Sequence, residues 1–304
     1  MTFDVLNRID MESFPSDDFD AHVYRLNYPD LAALDETELI DHYREYGVHE
    51  KRSSTVISSR NDFLSLLSNK TSLLEIGVFD SPTLDFLDEM NGSRVIHYAD
   101  WLSRAELIER ARVVIEQGGK RDASKIPDIR WVLSSGYNQI DCIYDAVVSH
   151  HCVEHQPDLV RHFIDVRSIL SEGGWYLLSL PNKEHCFDYF IPETTIVDVL
   201  EAYYMKRQKP AFKSVLEHRV FTSETFFDGI NPYDSYTPGM KRRFDNAFCE
   251  FNNSDYVDVH CWQFTPESFK KIVSQLSALG IIPMINELKV YSVGAEFCAA
   301  IEFA

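Results

Sequence analysis

Ser72-Leu73-Leu74-Glu75-Ile76-Gly77 is an apolar run broken by one acid and closed by glycine. Such a run reads as a strand buried on both faces, and the glycine lets the backbone approach a ligand closely where the strand ends. Outward from it, helical spacing covers Leu84 to Met90, followed by a second strand, Val95 to Asp100, and a helix, Arg104 to Gln117. Asp128 to Leu133 and Ile143 to Ser149 read as strands three and four. Leu159 to Leu170 is the next helix, and Trp175 to Leu180, after Gly173-Gly174, is strand five. Strands alternating with helices imply βαβ units and a parallel sheet covered on both faces.

The alternation stops from Phe187 to about Val259, an aromatic-rich stretch with two expected helices, Thr195 to Lys206 and Pro238 to Phe248. It resumes with a helix, Pro266 to Leu279, and two closing strands, Ile281 to Tyr291 and Ala295 to Phe303. Gly294 joins these strands tightly enough for an antiparallel hairpin. The interruption reads as a cap inserted over the carboxyl edge of the sheet, where open α/β sheets bind ligands.

Charge separates a second segment. Residues 1 to 50 hold 13 acidic and 3 basic side chains, against 35 and 26 in the rest. Met1 to Arg52 therefore reads as a distinct acidic module, anchored by Tyr24, Leu31, Leu39 and Tyr43. Asp35 and Glu38 would open a short helix that Gly47 ends. Ser53-Ser54-Thr55 reads as a linker, leaving residues 53–304 as the larger domain.

With 304 residues and a net charge of −19, the chain carries a field that would repel nucleic acid. Its six cysteines form no C-x-x-C pair, the N-terminus lacks a signal-peptide pattern, and no apolar run is long enough to span a bilayer. A soluble cytoplasmic protein is the expectation.

Asp100 ends the second strand, where an acid can accept hydrogen bonds from both hydroxyls of an adenosine ribose. Trp101 follows, placed to pack on an adenine face. A nicotinamide dinucleotide would fit this much equally well. However, Gly77 is followed by Val78-Phe79-Asp80-Ser81-Pro82 rather than G-x-G-x-x-G. No pyrophosphate cradle is visible, and a cofactor with adenosine but no phosphate fits better.

Leu74 to Gly77 with Pro82, Asp100, Tyr144 to His155 with Pro157-Asp158, and Leu170 through Gly173-Gly174 to Asn182 resemble class I S-adenosylmethionine-dependent methyltransferases. The closest likeness is to a bacterial branch with H-x-x-E-H-x-P-D after strand four, here His151 to Asp158. Gly294-Ala295-Glu296-Phe297 in the hairpin belongs to the same resemblance. It implies a Rossmann-like seven-stranded sheet and S-adenosylmethionine as cofactor. Glu75 and Gly77 would meet its methionine end, Asp100 the ribose, Leu133 and Ser134 the adenine, and His150 and His151 the side of the methyl. Val78-Phe79-Asp80 departs from the further glycines of many relatives. Separately, Tyr24 to Ala32 and Asp41 to Arg52 are similar to a short module on bacterial glycosyltransferases and surface-polysaccharide proteins. That implies a docking appendage and an acceptor on a saccharide or glycan precursor. The rival readings are N- or C-methylation of a small metabolite, and a scaffold without catalysis.

A sugar hydroxyl holds its proton near neutral pH, so a base would help. His151 is the first choice and His260 the reserve, with Glu154 orienting a neighbour; read as packing, Glu154 and His155 cap the next helix. Asp188, Tyr189 and Glu193 follow strand five and would face the acceptor. Trp262 suits a sugar face or, alternatively, anchors the cap. Some sugar methyltransferases use magnesium, but no ligand pair here has a diagnostic spacing, and no metal site is expected. Lys241-Arg242-Arg243 reads as a solvated helix face.

Overall fold

A computed structural model describes residues 19–50, 52, 54, 57, 59–85, 87, 94–223, 225, 229–234 and 236–304. The chain falls into two compact units that part between residues 56 and 57.

In the first unit the acidic sequence supplies caps. Asp20 accepts from Val23 N to open the helix Ala21–Asn27. Asp35 and Glu38 form a reciprocal capping box on the helix Glu36–His42. Tyr24, Leu31 and Leu39 pack as its core, with Tyr28, Leu34 and Tyr43 against them. Gly47 does not end the second helix in a left-handed turn. The chain runs on as a π-turn, Tyr43–Gly47, and a Cβ at Gly47 would collide with the Tyr24 hydroxyl. The glycine is needed for close approach. Of the expected linker, residues 53 and 55 lie outside the described residues.

The second unit is built on seven strands: β1 (Ser72–Ile76), β2 (Val95–Asp100), β3 (Ile129–Val132), β4 (Tyr144–His150), β5 (Leu170–Pro181), β6 (Ile285–Val293) and β7 (Glu296–Phe303). Their order is β3-β2-β1-β4-β5-β7-β6. Strand β7 runs antiparallel to both β5 and β6, and the other pairings are parallel. This is the seven-stranded Rossmann-like sheet with a terminal antiparallel hairpin that was expected. The apolar runs read as strands because helices cover both faces: Leu73, Leu74 and Ala146 to Val148 are fully buried.

Strand β5 begins earlier than expected. Leu170 already pairs with Tyr144, after which Gly173-Gly174 loop out before Trp175 pairs with Ala146. Gly173 takes a positive φ of 66° to allow this. Of the expected helix Leu84 to Met90, residues 86 and 88 to 90 lie outside the described residues.

Register decides where a ligand can sit. Ile76 of β1 lies beside Ala99 of β2 and Ser149 of β4, so these strands end level. Strand order reverses at β1, and the carboxyl edge there is the crevice that α/β sheets use. The insertion after β5 forms the helices Ile196–Tyr204, Phe212–Leu216 and Pro238–Asn253, with a small core of Val215, Ala247, Val257 and Val259. The short helix Phe212–Leu216 has too few apolar repeats to be read from periodicity. Among the described residues no helix is long and apolar enough to cross a membrane.

Candidate functional site

A cavity of about 660 Å³ opens at the carboxyl ends of β1, β2 and β4, within the size range of small-molecule sites. Of the residues expected at a cofactor, Gly77, Asp100, Trp101, Leu133 and His150 line it. Gly77 has φ +75°, and a Cβ there would stand 3.3 Å from Cys152 Sγ, so only glycine leaves this wall open. Asp100 is buried, and that burial pushes its carboxyl up. It accepts two long bonds of 3.3 Å, from Phe79 N and Leu102 N, and the Trp101 backbone N–H also donates to it. Oxygen lone pairs therefore remain for a ligand.

The loop Val78-Phe79-Asp80 is braced by Arg121. Phe79 takes a left-handed φ of +44° where glycine would be unstrained. Its ring lies 4.4 Å under the Arg121 guanidinium. Asp80 accepts from Arg121 Nη1 at 2.9 Å and from Asp122 N at 2.8 Å. Glu75 lines the cavity, but its carboxylate already accepts from Thr83 N, Thr83 Oγ1 and Leu84 N. It holds the loop. Burial pushes its carboxyl up to about 7, against those donors.

Trp101 is 55% exposed and stacks with Tyr256 of the insertion, ring centres 6.3 Å apart. Tyr256 donates to the His155 carbonyl at 3.1 Å. Ser134, expected beside an adenine, is exposed and does not line the cavity; the chain turns into a 3-10 segment, Leu133–Ser135, and Tyr137 takes the place on the wall. His150 Nδ1 is 2.7 Å from Ser179 Oγ, while its Nε2 is buried without a partner. Burial pushes its pKa down to about 4.

His151 stands between this cavity and a second one of about 390 Å³, also lined by His185, Phe187, His260 and Glu296. Its backbone is left-handed, φ +47°. Its Nε2 lies 2.7 Å from Glu296 and its Nδ1 3.4 Å from Glu154. Burial works against the charged form, but the two carboxylates outweigh it and push the pKa up to about 9. The ring is thus an imidazolium at neutral pH, with neither nitrogen offering a free lone pair. Glu296 in turn takes a bidentate grip from Arg60, at 2.8 and 2.7 Å.

The four residues expected to face an acceptor line neither cavity. Glu193 accepts from Thr265 Oγ1 at 2.6 Å and anchors a helix start. Trp262 is buried and donates through Nε1 to the Gln156 carbonyl at 2.7 Å, so it anchors the cap. Tyr189 packs edge-on against Phe190. Asp188 is buried and binds His260 Nδ1 at 2.6 Å. The sequence did not single out Arg60, Cys152 or Tyr256, and it quoted Glu296 without a role. Contrary to the spacing argument against a metal, ligand atoms of Glu154, His155 and His260 all lie within 4.8 Å of one another.

No family model and no curated protein matches this sequence. Among solved structures, the chain is similar to the citrinin polyketide synthase CMeT domain, at 13% identity and TM-score 0.41, over 89% of this chain and 57% of that one. It is similar to an O-methyltransferase family protein from Burkholderia thailandensis, at 10% identity and TM-score 0.41, over 92% and 64%. It is also similar to the CurJ carbon methyltransferase, at 12% identity and TM-score 0.41, over 93% and 61%. The likeness is one of fold. The chain spans less than two thirds of the length of each of these three.

Proposed function

We propose that this protein is an S-adenosylmethionine-dependent methyltransferase acting on a hydroxyl of a saccharide or glycan precursor. One observation carries the cofactor reading: Gly77, at a positive φ that strains any side chain, and the buried Asp100, whose printed bonds are long, face one cavity at the switch point of the sheet. The unpartnered Nε2 of His150 on the same wall suits a polar ligand. When bound, the cofactor supplies a methyl group on a sulfonium, and its departure leaves a neutral thioether.

The chain's own residues do the rest. Gly77 would let the ligand lie against the β1 end, and Asp100 would accept from two ribose hydroxyls. Leu133 and Tyr137 close the apolar side, and Trp101 covers the mouth. An acceptor in the second cavity would meet the methyl at the seam where His151 stands, with His260 beside it. Alignment of this kind is worth about 7–11 kcal/mol of barrier. A saccharide is supported by the imidazoles and the Phe187 ring around that cavity, and by the sequence resemblance of the N-terminal module. We read residues 1–52 as a docking appendage for glycan assembly, with the protein working in the cytoplasm.

The test is calorimetric titration with S-adenosylhomocysteine, with Asp100→Ala alongside. Micromolar binding, about −8 kcal/mol, that weakens at least about tenfold in the variant is the expected result, since hydrogen bonds to a charged group contribute about 1.5–3 kcal/mol each. No binding by the wild type would overturn the reading. Turnover of glycan fragments against a pool of amines and carbon acids then decides the acceptor.

A further inference from the structure

Glu154 is 1% exposed at its side chain, yet among the described residues neither of its carboxylate oxygens has a hydrogen-bond partner. A buried carboxylate without partners is costly unless a positive charge compensates it. Among the described residues, no lysine or arginine forms an ion pair with it, and His151 Nδ1 at 3.4 Å is its ion-pair neighbour. The basic side chains nearby are spent elsewhere: Arg60 on Glu296, and Arg110 on Asp258 at 2.6 Å. Asp188 adds a further buried, unpartnered oxygen, Oδ1. His151 gives Glu154 an ion-pair neighbour but no hydrogen bond of good geometry, so its buried oxygens stay open to a ligand.

Two imidazoles face that charge. The rings of His155 and His260 meet edge-on with centres 5.0 Å apart. Each has a carboxylate near one nitrogen: Asp188 Oδ2 is hydrogen-bonded to His260 Nδ1 at 2.6 Å, and Asp258 Oδ1 stands 3.0 Å from His155 Nδ1, an ion-pair distance without hydrogen-bond geometry. With Nδ1 of His260 donating to Asp188, its Nε2 keeps a lone pair. A carboxylate behind the ring is the arrangement that orients a metal-binding histidine.

We propose that Glu154, His155 and His260 form a site for one divalent transition-metal ion. Two imidazoles and one carboxylate suit Zn²⁺, Co²⁺ or Mn²⁺ better than Mg²⁺, which prefers oxygen ligands. Ligand atoms around one ion at about 2.1 Å stand no more than about 4 Å apart. From a spread within 4.8 Å, the three would draw in by less than about 1 Å. Three protein ligands leave a coordination position open. His155 lines the cofactor cavity and His260 the second cavity, so that position falls at the seam between them. The site stands on its own geometry; its use rests on the methyltransferase reading. There it would hold the acceptor's hydroxyl oxygen and lower its pKa, as a divalent ion does for bound water, so that the proton passes to solvent as the oxygen takes the methyl group.

The full chain, stripped with a chelator, is titrated with Zn²⁺ by calorimetry and with Co²⁺ by visible absorption. One ion per chain is expected, with Glu154→Gln and His260→Asn each losing at least about tenfold in affinity, and Asp188→Asn about 10–100-fold. Failure to take up either ion overturns the proposal, as does uptake that both ligand variants leave unchanged. S-adenosylhomocysteine binding by the same samples reports whether each variant is folded, and His260→Asn serves if Glu154→Gln is not. Cofactor product bound without metal removes the metal site alone, whereas metal bound without it removes the methyltransferase reading and leaves the site.

Discussion

Raising the pH from about 5.5 to about 8 should lower stability by about 2 kcal/mol through Glu75 alone. The side chain is buried at the end of β1, and burial pushes its carboxyl from 4.5 up to about 7 even though Thr83 and Leu84 donate to it. In the unfolded chain the group ionises near 4.5, so between the two values the folded chain keeps a proton that the unfolded chain has lost. Its contribution is complete below the unfolded value, falls as pH rises, and levels off above the folded one. The whole gap is worth about 3 kcal/mol, of which about 2 falls inside that window. Urea unfolding of the wild type and of Glu75→Gln across the window isolates it, because glutamine does not titrate. The wild type should lose about 2 kcal/mol relative to the variant. A difference that stays flat would refute the reasoning. It would mean that the three donors of the loop keep Glu75 ionised throughout, and that burial does not dominate.

Gly77→Ala places a Cβ at a left-handed backbone position 3.3 Å from Cys152 Sγ. The expected loss is about 1–2 kcal/mol of unfolding free energy together with weaker S-adenosylhomocysteine binding; an unchanged urea midpoint and unchanged affinity would show that the wall is not tight. Trp262→Phe removes the donor to the Gln156 carbonyl. It should lower stability by about 1–3 kcal/mol and leave the acceptor KM unaltered, and a raised KM at unchanged stability would return Trp262 to the acceptor site.

The fold was legible because β1 and the middle of β4 are buried and so appear as short apolar runs, while β2, half-buried at its start, was read from its place between two helical stretches. Asp100 and Gly77 were legible for a related reason: a strand end in a parallel sheet has a known direction. The acceptor side was not. Glu193 and Trp262 follow or approach the sheet in sequence, but adjacency to a strand end does not say which way a loop side chain turns, and both turn into packing contacts. Phe79 breaks a glycine pattern, and only the Arg121 guanidinium stacked on its ring shows how the turn is held. Glu154 and His260 lie 106 positions apart in the sequence. No local spacing could have paired them, nor Arg60 with Glu296.

The grip of Arg60 on Glu296 joins residues at opposite ends of the unit, and β7, which carries Glu296, slots between β5 and β6. During synthesis, β5 must wait with a bare edge until the last of the seven strands leaves the ribosome, and pairing over such a sequence separation is slow. Until then His151 lacks one of its two carboxylates, and the wall between the cavities is incomplete. The same interval is when the open β5 edge is most exposed to pairing with another chain.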